Sequence, residues 1–151
     1  MMKYTQASLG RIFILRLEHG DKIPDIIEDF AREQEIESAL VFFLGGADKG
    51  SKVIVGPQEG EAPRPVPMLK ELTGVSESLA VGTLFVNEEE EPKLHMHSAF
   101  GREGNTITGC TREGVDVWQI GEVVVLEIKD TSACRRVKGK TGFELLEILQ
   151  G

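Results

Sequence analysis

Nearly every apolar segment of this chain has the composition of a β-strand, and one segment alone has the spacing of a helix. Apolar residues at 23, 26, 27, 30 and 31 follow the helical period, and Pro24 suits an early helical position, so we predict a helix at about 23–34. Segments rich in β-branched and aromatic residues predict strands at 10–17, 38–46, 52–57, 68–74, 78–86, 93–100, 105–112, 115–128 and 143–149. One helix among many hairpin-linked strands predicts an α+β fold around a mostly antiparallel sheet.

The size and composition of the chain restrict its class. Its 151 residues, 40% of them hydrophobic, are enough for one packed core, and we predict a single domain over 1–151. No apolar run reaches the ~18–20 residues of a membrane-spanning helix, and the N-terminus lacks the apolar stretch of a secretion signal. We therefore expect a soluble, cytoplasmic protein. Its two cysteines are too few for a disulfide framework.

The most informative motif is a pair of histidines two residues apart. His95 and His97 lie in the strand predicted at 93–100, and alternate residues of a strand point to the same side. The two imidazoles can therefore converge on one metal ion, since neutral imidazole is a standard ligand of zinc and other transition metals. The alternative is a pair of polar residues on the solvent face of a hairpin.

A third ligand depends on how this strand pairs with the next one. Opposed residues of an antiparallel hairpin share a face and have a constant index sum. A two-residue or four-residue loop gives a sum of 207, which places Cys110 opposite His97. A three-residue loop gives 206, which places Thr111 opposite His95.

The neighbouring apolar residues favour the first register. It places Ile107 opposite Phe100, whereas the second leaves Phe100 facing Thr106. Thiolate and imidazole are zinc ligands, and three protein ligands leave the open fourth position that is typical of catalytic zinc. The predicted metal ligands are therefore His95, His97 and Cys110. The alternative for Cys110 is a small buried residue without a metal.

Other features carry weaker signals. The glycine-rich segment 45–50 lacks the Gly-Lys-Ser/Thr of a phosphate-binding loop and is predicted to be a turn. The acidic tract 88–91 is predicted to be a solvated hairpin tip. Trp118 is interpreted as a core residue, Glu122 as an edge residue and His19 as a surface residue.

Several short motifs, in their order along about 8–150, resemble the PPC domain, which is conserved between plants and prokaryotes. They are the opening strand from Gly10, the step Leu17-x-x-Gly20-Asp21 into the helix, the pair Gly45-Gly46, His95-x-His97-x-x-x-Gly101, and Gly109-Cys110 followed by the strand from Glu122. The resemblance implies an α+β domain with a curved, mostly antiparallel sheet and one main helix. It also implies assembly as a homotrimer.

The resemblance bears on the ligand set as well. Many members of the family have a third histidine in a Gly-Gly-His step, and here the matching residues are Gly109, Cys110 and Thr111. Thr111 then aligns with the third histidine of the family, and this alignment favours the register with the index sum of 206. Whether Cys110 or Thr111 faces the histidines stays open at the level of sequence.

Two functions follow from the resemblance, because some members are similar to metal-containing proteins and others are labelled DNA-binding. No Arg-Gly-Arg-Pro core of an AT-hook is present, and the net charge is −8 per chain, which disfavours DNA. The basic stretch 129–140 has a local charge of +4 and is interpreted as a solvated loop. We therefore predict a divalent metal, zinc in the first place, with a small molecule as a candidate ligand beside it. No motif identifies a reaction, so enzymatic activity is left open.

Overall fold

The fold consists of one short helix and eleven strands in residues 1–149, which are the residues that the computed structural model describes. The helix is α1 (Asp25–Glu33), and the strands are β1 (Ser8–Glu18), β2 (Lys22–Ile23), β3 (Ser38–Ala47), β4 (Lys52–Pro57), β5 (Pro67–Glu71), β6 (Ser76–Val86), β7 (Pro92–Arg102), β8 (Asn105–Cys110), β9 (Val115–Lys129), β10 (Ala133–Val137) and β11 (Glu144–Ile148). All strand pairings in this range are antiparallel. The predicted α+β class is therefore confirmed.

Eight strands follow one another in a single sheet, in the order β1-β9-β3-β6-β7-β8-β4-β5, and β2 is added on β9. The strands β10 and β11 form a separate two-stranded ribbon. Strand β7, which carries both histidines of the predicted site, lies inside the sheet between β6 and β8. The candidate site therefore lies on a strand that is paired on both sides.

The helix begins later than the sequence predicts. Lys22–Ile23 is extended and pairs with β9, so α1 starts at Asp25 and has Pro24 as its N-cap. Its apolar face places Ile27 and Ala31 in the core. No helix in residues 1–149 has both the length and the apolar content needed to cross a bilayer.

The two faces of the sheet are covered unequally. One face packs against α1 and, with it, forms the hydrophobic core, which includes Val41, Phe43, Met96, Val123 and Val125. The opposite face, here termed the open face, carries exposed apolar side chains. They are Ile12, Ile14, Phe42, Leu44, Leu79 and Val81. Because exposed apolar residues that form one contiguous surface mark interaction sites, the open face is a candidate for contact with another molecule.

The β10–β11 ribbon lies against one end of the open face. The Nη2 of Arg135 donates hydrogen bonds to the carbonyl oxygen and the hydroxyl of Thr83 in β6, at 3.0 and 2.8 Å. The predicted strand at 143–149 is found as β11. The interpretation of 129–140 as a solvated loop is wrong, because 133–137 is a strand and Arg135 is only 4% exposed.

The turn predicted for 45–50 is shorter than that segment. Strand β3 continues through Gly45 and Gly46, which the predicted strand 38–46 also contains, to Ala47, and the turn is found at Lys49 and Gly50. The register of β3 with β9 shifts between the two glycines. A Cβ on Gly45 would lie 2.5 Å from the carbonyl oxygen of Ile120. The two strands approach so closely here that only glycine fits, and glycine therefore marks a bulge at this position.

The structure places Trp118 and Glu122 of β9 in surroundings that differ from those predicted from the sequence. Trp118 is 39% exposed and does not belong to the core, because it lies opposite Gly46, which has no side chain to cover the indole. Glu122 is exposed, but it is not at an edge, since β9 is paired with β1 on one side and with β3 on the other. The acidic tract 88–91 lies in the turn between β6 and β7, and His19 is exposed, both as predicted.

A buried carboxylate holds β1 against β9. The Glu127 side chain is 1% exposed and accepts hydrogen bonds from the backbone N, Nε and Nη2 of Arg11 at 2.9, 2.8 and 2.9 Å. The register of the two strands shifts beside it, and a Cβ on Gly10 would lie 2.8 Å from a Glu127 oxygen. The hydrogen bonds from Arg11 lower the pKa of Glu127 to about 2, because they favour the charged form.

We expect Glu127→Gln to lower the free energy of unfolding by about 2 kcal/mol at pH 7, because it removes charge-assisted hydrogen bonds from a buried group. The pKa of Glu127 is lower in the folded chain than in the unfolded one. Its contribution is therefore present above the usual carboxyl pKa of ~4.3 and is lost as the pH falls toward about 2.

Urea unfolding at fixed protein concentration measures this effect. The difference between the wild type and Glu127→Gln should be smaller at pH 3 than at pH 7. The exposed Glu77→Gln is the matched control and should behave as the wild type does at both pH values. A difference that does not change with pH would contradict the assignment.

Candidate metal centre

The hairpin of β7 and β8 determines which residues face one another. Its loop consists of Glu103 and Gly104, which both have positive φ, at 51° and 79°. Such a two-residue turn matches the twist of the flanking strands and fixes their register. Phe100 pairs with Ile107, and His97 pairs with Cys110, so the register has the index sum of 207.

Three potential ligands meet on the open face. The Nε2 atoms of His95 and His97 are 3.1 Å apart, and their rings meet edge to face, with centroids 4.9 Å apart. The ligand atoms of His95, His97 and Cys110 all lie within 4.8 Å of one another. The structure thus brings together the three residues that the sequence predicts, with both histidines exposed and the cysteine 8% exposed.

Thr111, the alternative third residue, has a different role. Its backbone N and its hydroxyl both donate hydrogen bonds to the carbonyl oxygen of Met96, at 3.0 and 3.2 Å, and the residue is 2% exposed. Thr111 therefore closes the end of the hairpin and does not face His95. The 206 register, which the family alignment favours, is not the one that forms.

The backbone around the cysteine is held by a close contact between strands. Ile54 of β4 pairs with Cys110, and a Cβ on the preceding Gly109 would lie 2.2 Å from the carbonyl oxygen of Ile54. Only glycine permits this approach. This close contact explains why a glycine precedes Cys110. Because Cys110 pairs with Ile54 of β4 on one side and with His97 of β7 on the other, both neighbouring strands fix its position.

The start of β7 is fixed from the other side of the strand. Glu28 of α1 accepts a hydrogen bond from the backbone N of Leu94 at 2.8 Å, and burial raises the pKa of Glu28.

The surroundings of His95 affect its protonation. Partial burial lowers the pKa of His95, and the positive charges of His97, Arg135 and Arg112 lower it further. A lowered pKa keeps the imidazole neutral at pH 7, which is the form that binds a metal.

The donor set agrees with the geometry of zinc. With Zn–N distances of about 2.0–2.1 Å and a tetrahedral angle, two histidine nitrogens would lie about 3.3 Å apart. The observed 3.1 Å between the Nε2 atoms is close to that value. The two imidazoles would then leave the third ligand position to the Cys110 sulfur and the fourth to water or another ligand.

Other residues beside the centre were not singled out from the sequence. They are Arg112, Arg135 and Phe143, which line the clefts around His95. Arg112 follows Cys110 by two residues, a spacing that gives a weak signal at most. Arg135 and Phe143 come from the C-terminal ribbon, which reaches the centre through tertiary packing alone.

The fold and the centre together define a class of protein, in which one helix covers one face of an antiparallel sheet and two histidines and a cysteine lie on the other. The model of the Plants and Prokaryotes Conserved (PCC) domain matches residues 4–129, and the chain belongs to this family. The resemblance drawn from the sequence is thereby confirmed. No protein with a curated description matches the sequence.

Solved structures agree with this assignment. The chain is similar to a plant- and prokaryote-conserved (PPC) protein of Pyrococcus horikoshii, with 25% identity, a TM-score of 0.83 and 99% of both chains covered. It is similar to a metal-containing protein of Archaeoglobus fulgidus, with 26% identity, a TM-score of 0.80 and coverage of 99% of this chain and 100% of that one. A "putative DNA-binding protein" of Ralstonia eutropha JMP134 shares the fold at 19% identity, with a TM-score of 0.68 and 90% of both chains covered.

Proposed function

We propose that this chain is a metal-binding PCC-domain protein that holds one zinc ion through His95, His97 and Cys110 and assembles as a homotrimer. The observation that carries the metal site is the convergence of three ligand atoms within 4.8 Å on adjacent strands. Two exposed imidazoles whose Nε2 atoms are 3.1 Å apart gain a shared partner when a metal binds. The metal-containing protein of Archaeoglobus fulgidus, at 26% identity, supports the same function.

The donor atoms favour a transition metal such as zinc over calcium and magnesium. A thiolate with two imidazoles forms a borderline-soft set that suits zinc, whereas calcium and magnesium require oxygen ligands. With three protein ligands, the fourth position is open to water or to an anion. This arrangement supports binding or activation of a small molecule at the metal and does not define a reaction.

The homotrimer is supported by the open face. Its apolar row runs from Ile14 through the half-buried Val124, then Phe42 and Val81, to His97, so it ends at the candidate metal centre. Ile14 is 75% exposed and Leu79 is 67% exposed, although both lie in the interior of long strands. Apolar surface of this kind is stable in water when a second copy covers it.

Metal analysis of the purified protein tests the proposed site. The protein should be prepared without a histidine tag and passed through a chelating resin before measurement, and zinc should remain at about one ion per chain. Absence of zinc, and of any other transition metal, together with no uptake on titration, would exclude the proposed function.

A DNA-associated function is the second candidate, since a protein of the same fold carries that name. The basic residues at the C-terminal end of the chain do not favour it. Lys129 forms an ion pair with Glu127 at 3.0 Å, Lys138 forms one with Glu147, and Arg135 is buried. Cations that are already paired or buried are not available for the backbone phosphates of a duplex, which contact exposed side chains at the protein surface.

We therefore expect weak or no binding of duplex DNA at about 150 mM salt, because the net charge of −8 opposes it. Titration of labelled AT-rich and mixed duplexes measures this. Sub-micromolar binding that weakens steeply with salt and is lost in Arg136→Ala/Lys138→Ala would place the DNA-associated function first.

A further inference from the structure

Two clefts meet at the candidate metal centre. The first, termed the metal cleft, has a volume of about 300 Å³ and contains His95, His97 and Cys110. The second, termed the ribbon cleft, has a volume of about 850 Å³ and is lined by β11 and the residues before it. Since His95, Arg112 and Phe143 line both clefts, a ligand on the metal has room to extend into the ribbon cleft.

The ribbon cleft contains a buried cation that forms no ion pair with a described residue. Arg135 is 4% exposed, and its Nη2 is bonded to Thr83, whereas its Nε has no hydrogen-bond partner among the described residues. Within residues 1–149, no carboxylate oxygen lies within 4.0 Å of its side-chain nitrogens. Burying an unpaired charge is costly, so an anion in the cleft would stabilise this arrangement.

A second arginine lies at the junction of the two clefts. Arg112 is exposed, and its guanidinium carbon lies 5.6 Å from the centroid of the Phe143 ring. It forms no ion pair with any described residue. A guanidinium held over an aromatic ring keeps its hydrogen-bond donors at the edge free for a carboxylate or a phosphate.

The acidic residues of the ribbon cleft form no ion pair with the two arginines. Burial lowers the pKa of Arg135, and the charge of Glu144 raises it by a smaller amount. Glu28 accepts its hydrogen bond from the backbone N of Leu94, and Glu144 accepts one from the Nδ2 of Asn87 at 3.2 Å. Asp25 lines the cleft on the side of α1. The remaining lining contains one further cation, Lys93, and is otherwise largely apolar, with Leu94, Val137, Phe143, Leu145 and Leu146. The cleft thus combines an apolar wall with two arginines that form no ion pair with a described residue, and its carboxylates lie beyond ion-pair distance of both guanidinium groups.

We propose that the two clefts bind a small organic anion, whose carboxylate or phosphate lies between the metal and the guanidinium groups of Arg112 and Arg135 and whose apolar body lies in the ribbon cleft. This inference rests on the proposed function, because the metal supplies one of the three contacts to the anion. A bidentate guanidinium contact and an open metal position both select oxyanions over neutral molecules of the same shape. The substrate class is therefore anionic with an apolar part.

Cobalt-substituted protein tests this inference, because the visible absorption of Co²⁺ changes when a new ligand enters its coordination sphere. The probes are benzoate, phenyl phosphate and benzamide, of which the last has nearly the shape of benzoate but no charge. We expect saturable spectral changes with benzoate or phenyl phosphate at concentrations at least about tenfold lower than with benzamide, which corresponds to about one charge-assisted hydrogen bond. The stronger of the two anions identifies the ligand as a carboxylate or a phosphate.

Variants locate the binding site. Arg112→Gln should weaken binding of the better anion about tenfold while the cobalt spectrum without anion stays unchanged. Arg64→Gln, an exposed arginine that lines neither cleft, is the matched control and should leave anion binding unchanged.

The outcomes separate the two proposals. If Co²⁺ does not bind, the proposed function fails, and the inference fails with it. If Co²⁺ binds but the anions act no better than benzamide, or if Arg112→Gln and Arg64→Gln bind them equally, the inference is overturned and the metal site stands.

Discussion

Replacing His95 and His97 together by alanine is expected to remove zinc from the protein. The two imidazoles supply two of the three proposed protein ligands, and the remaining Cys110 thiol alone is a weak, monodentate ligand. We expect less than about one tenth of the zinc content of the wild type, because loss of two ligands lowers the affinity by several orders of magnitude. Elemental analysis of untagged protein, normalised to protein concentration, measures it.

The third histidine of the chain provides the control. His19 is exposed, and its Nδ1 accepts a hydrogen bond from the backbone N of Gln119 at 3.2 Å, away from the centre. His19→Ala should retain the zinc content of the wild type. Cys110→Ser should lose most of the metal, whereas Thr111→Val should keep it, because the Thr111 hydroxyl is bonded to the backbone. Full zinc content in the double histidine variant would place the metal elsewhere.

The second large effect concerns assembly. The wild type should sediment at three times the monomer mass of 16.6 kDa at micromolar concentration, and Leu44→Glu/Leu79→Glu should sediment as a monomer. Leu44 and Leu79 pair across β3 and β6 on the open face, where they are 55% and 67% exposed. Carboxylates at these positions would be buried without partners in an interface, yet they remain solvated in a free chain.

This prediction is measured by sedimentation equilibrium, with circular dichroism to verify that the variant folds. Met68→Glu is the control, because Met68 is 40% exposed on the edge strand β5 and lies outside the apolar row. It should keep the mass of the wild type. A wild type that sediments as a stable 16.6 kDa monomer would contradict the homotrimer itself.

The sequence alone determined the class of the fold and most of the candidate site. The alternation of apolar residues predicts the strands, because period two is a local property of a strand that buries one face. The β7–β8 hairpin is local as well, so the match of Phe100 with Ile107 favoured the register that places Cys110 opposite His97, which is the register that forms. The family alignment favoured Thr111, so the choice stayed open in the sequence until the structure showed His97 paired with Cys110.

Only the tertiary structure decided what surrounds the centre. The start of α1 moved to Asp25 because Lys22–Ile23 pairs with a strand more than ninety positions later, which no local pattern reveals. Arg135 is a second case. In the sequence it lies in a basic, polar segment, whereas in the structure the β10–β11 ribbon places it against Thr83, which pairs with His95. Local periodicity fixes which way a side chain points along its own strand, whereas the neighbour that it meets depends on contacts between distant segments. For that reason the candidate ligands could be predicted from the sequence, and the arginines beside them could not.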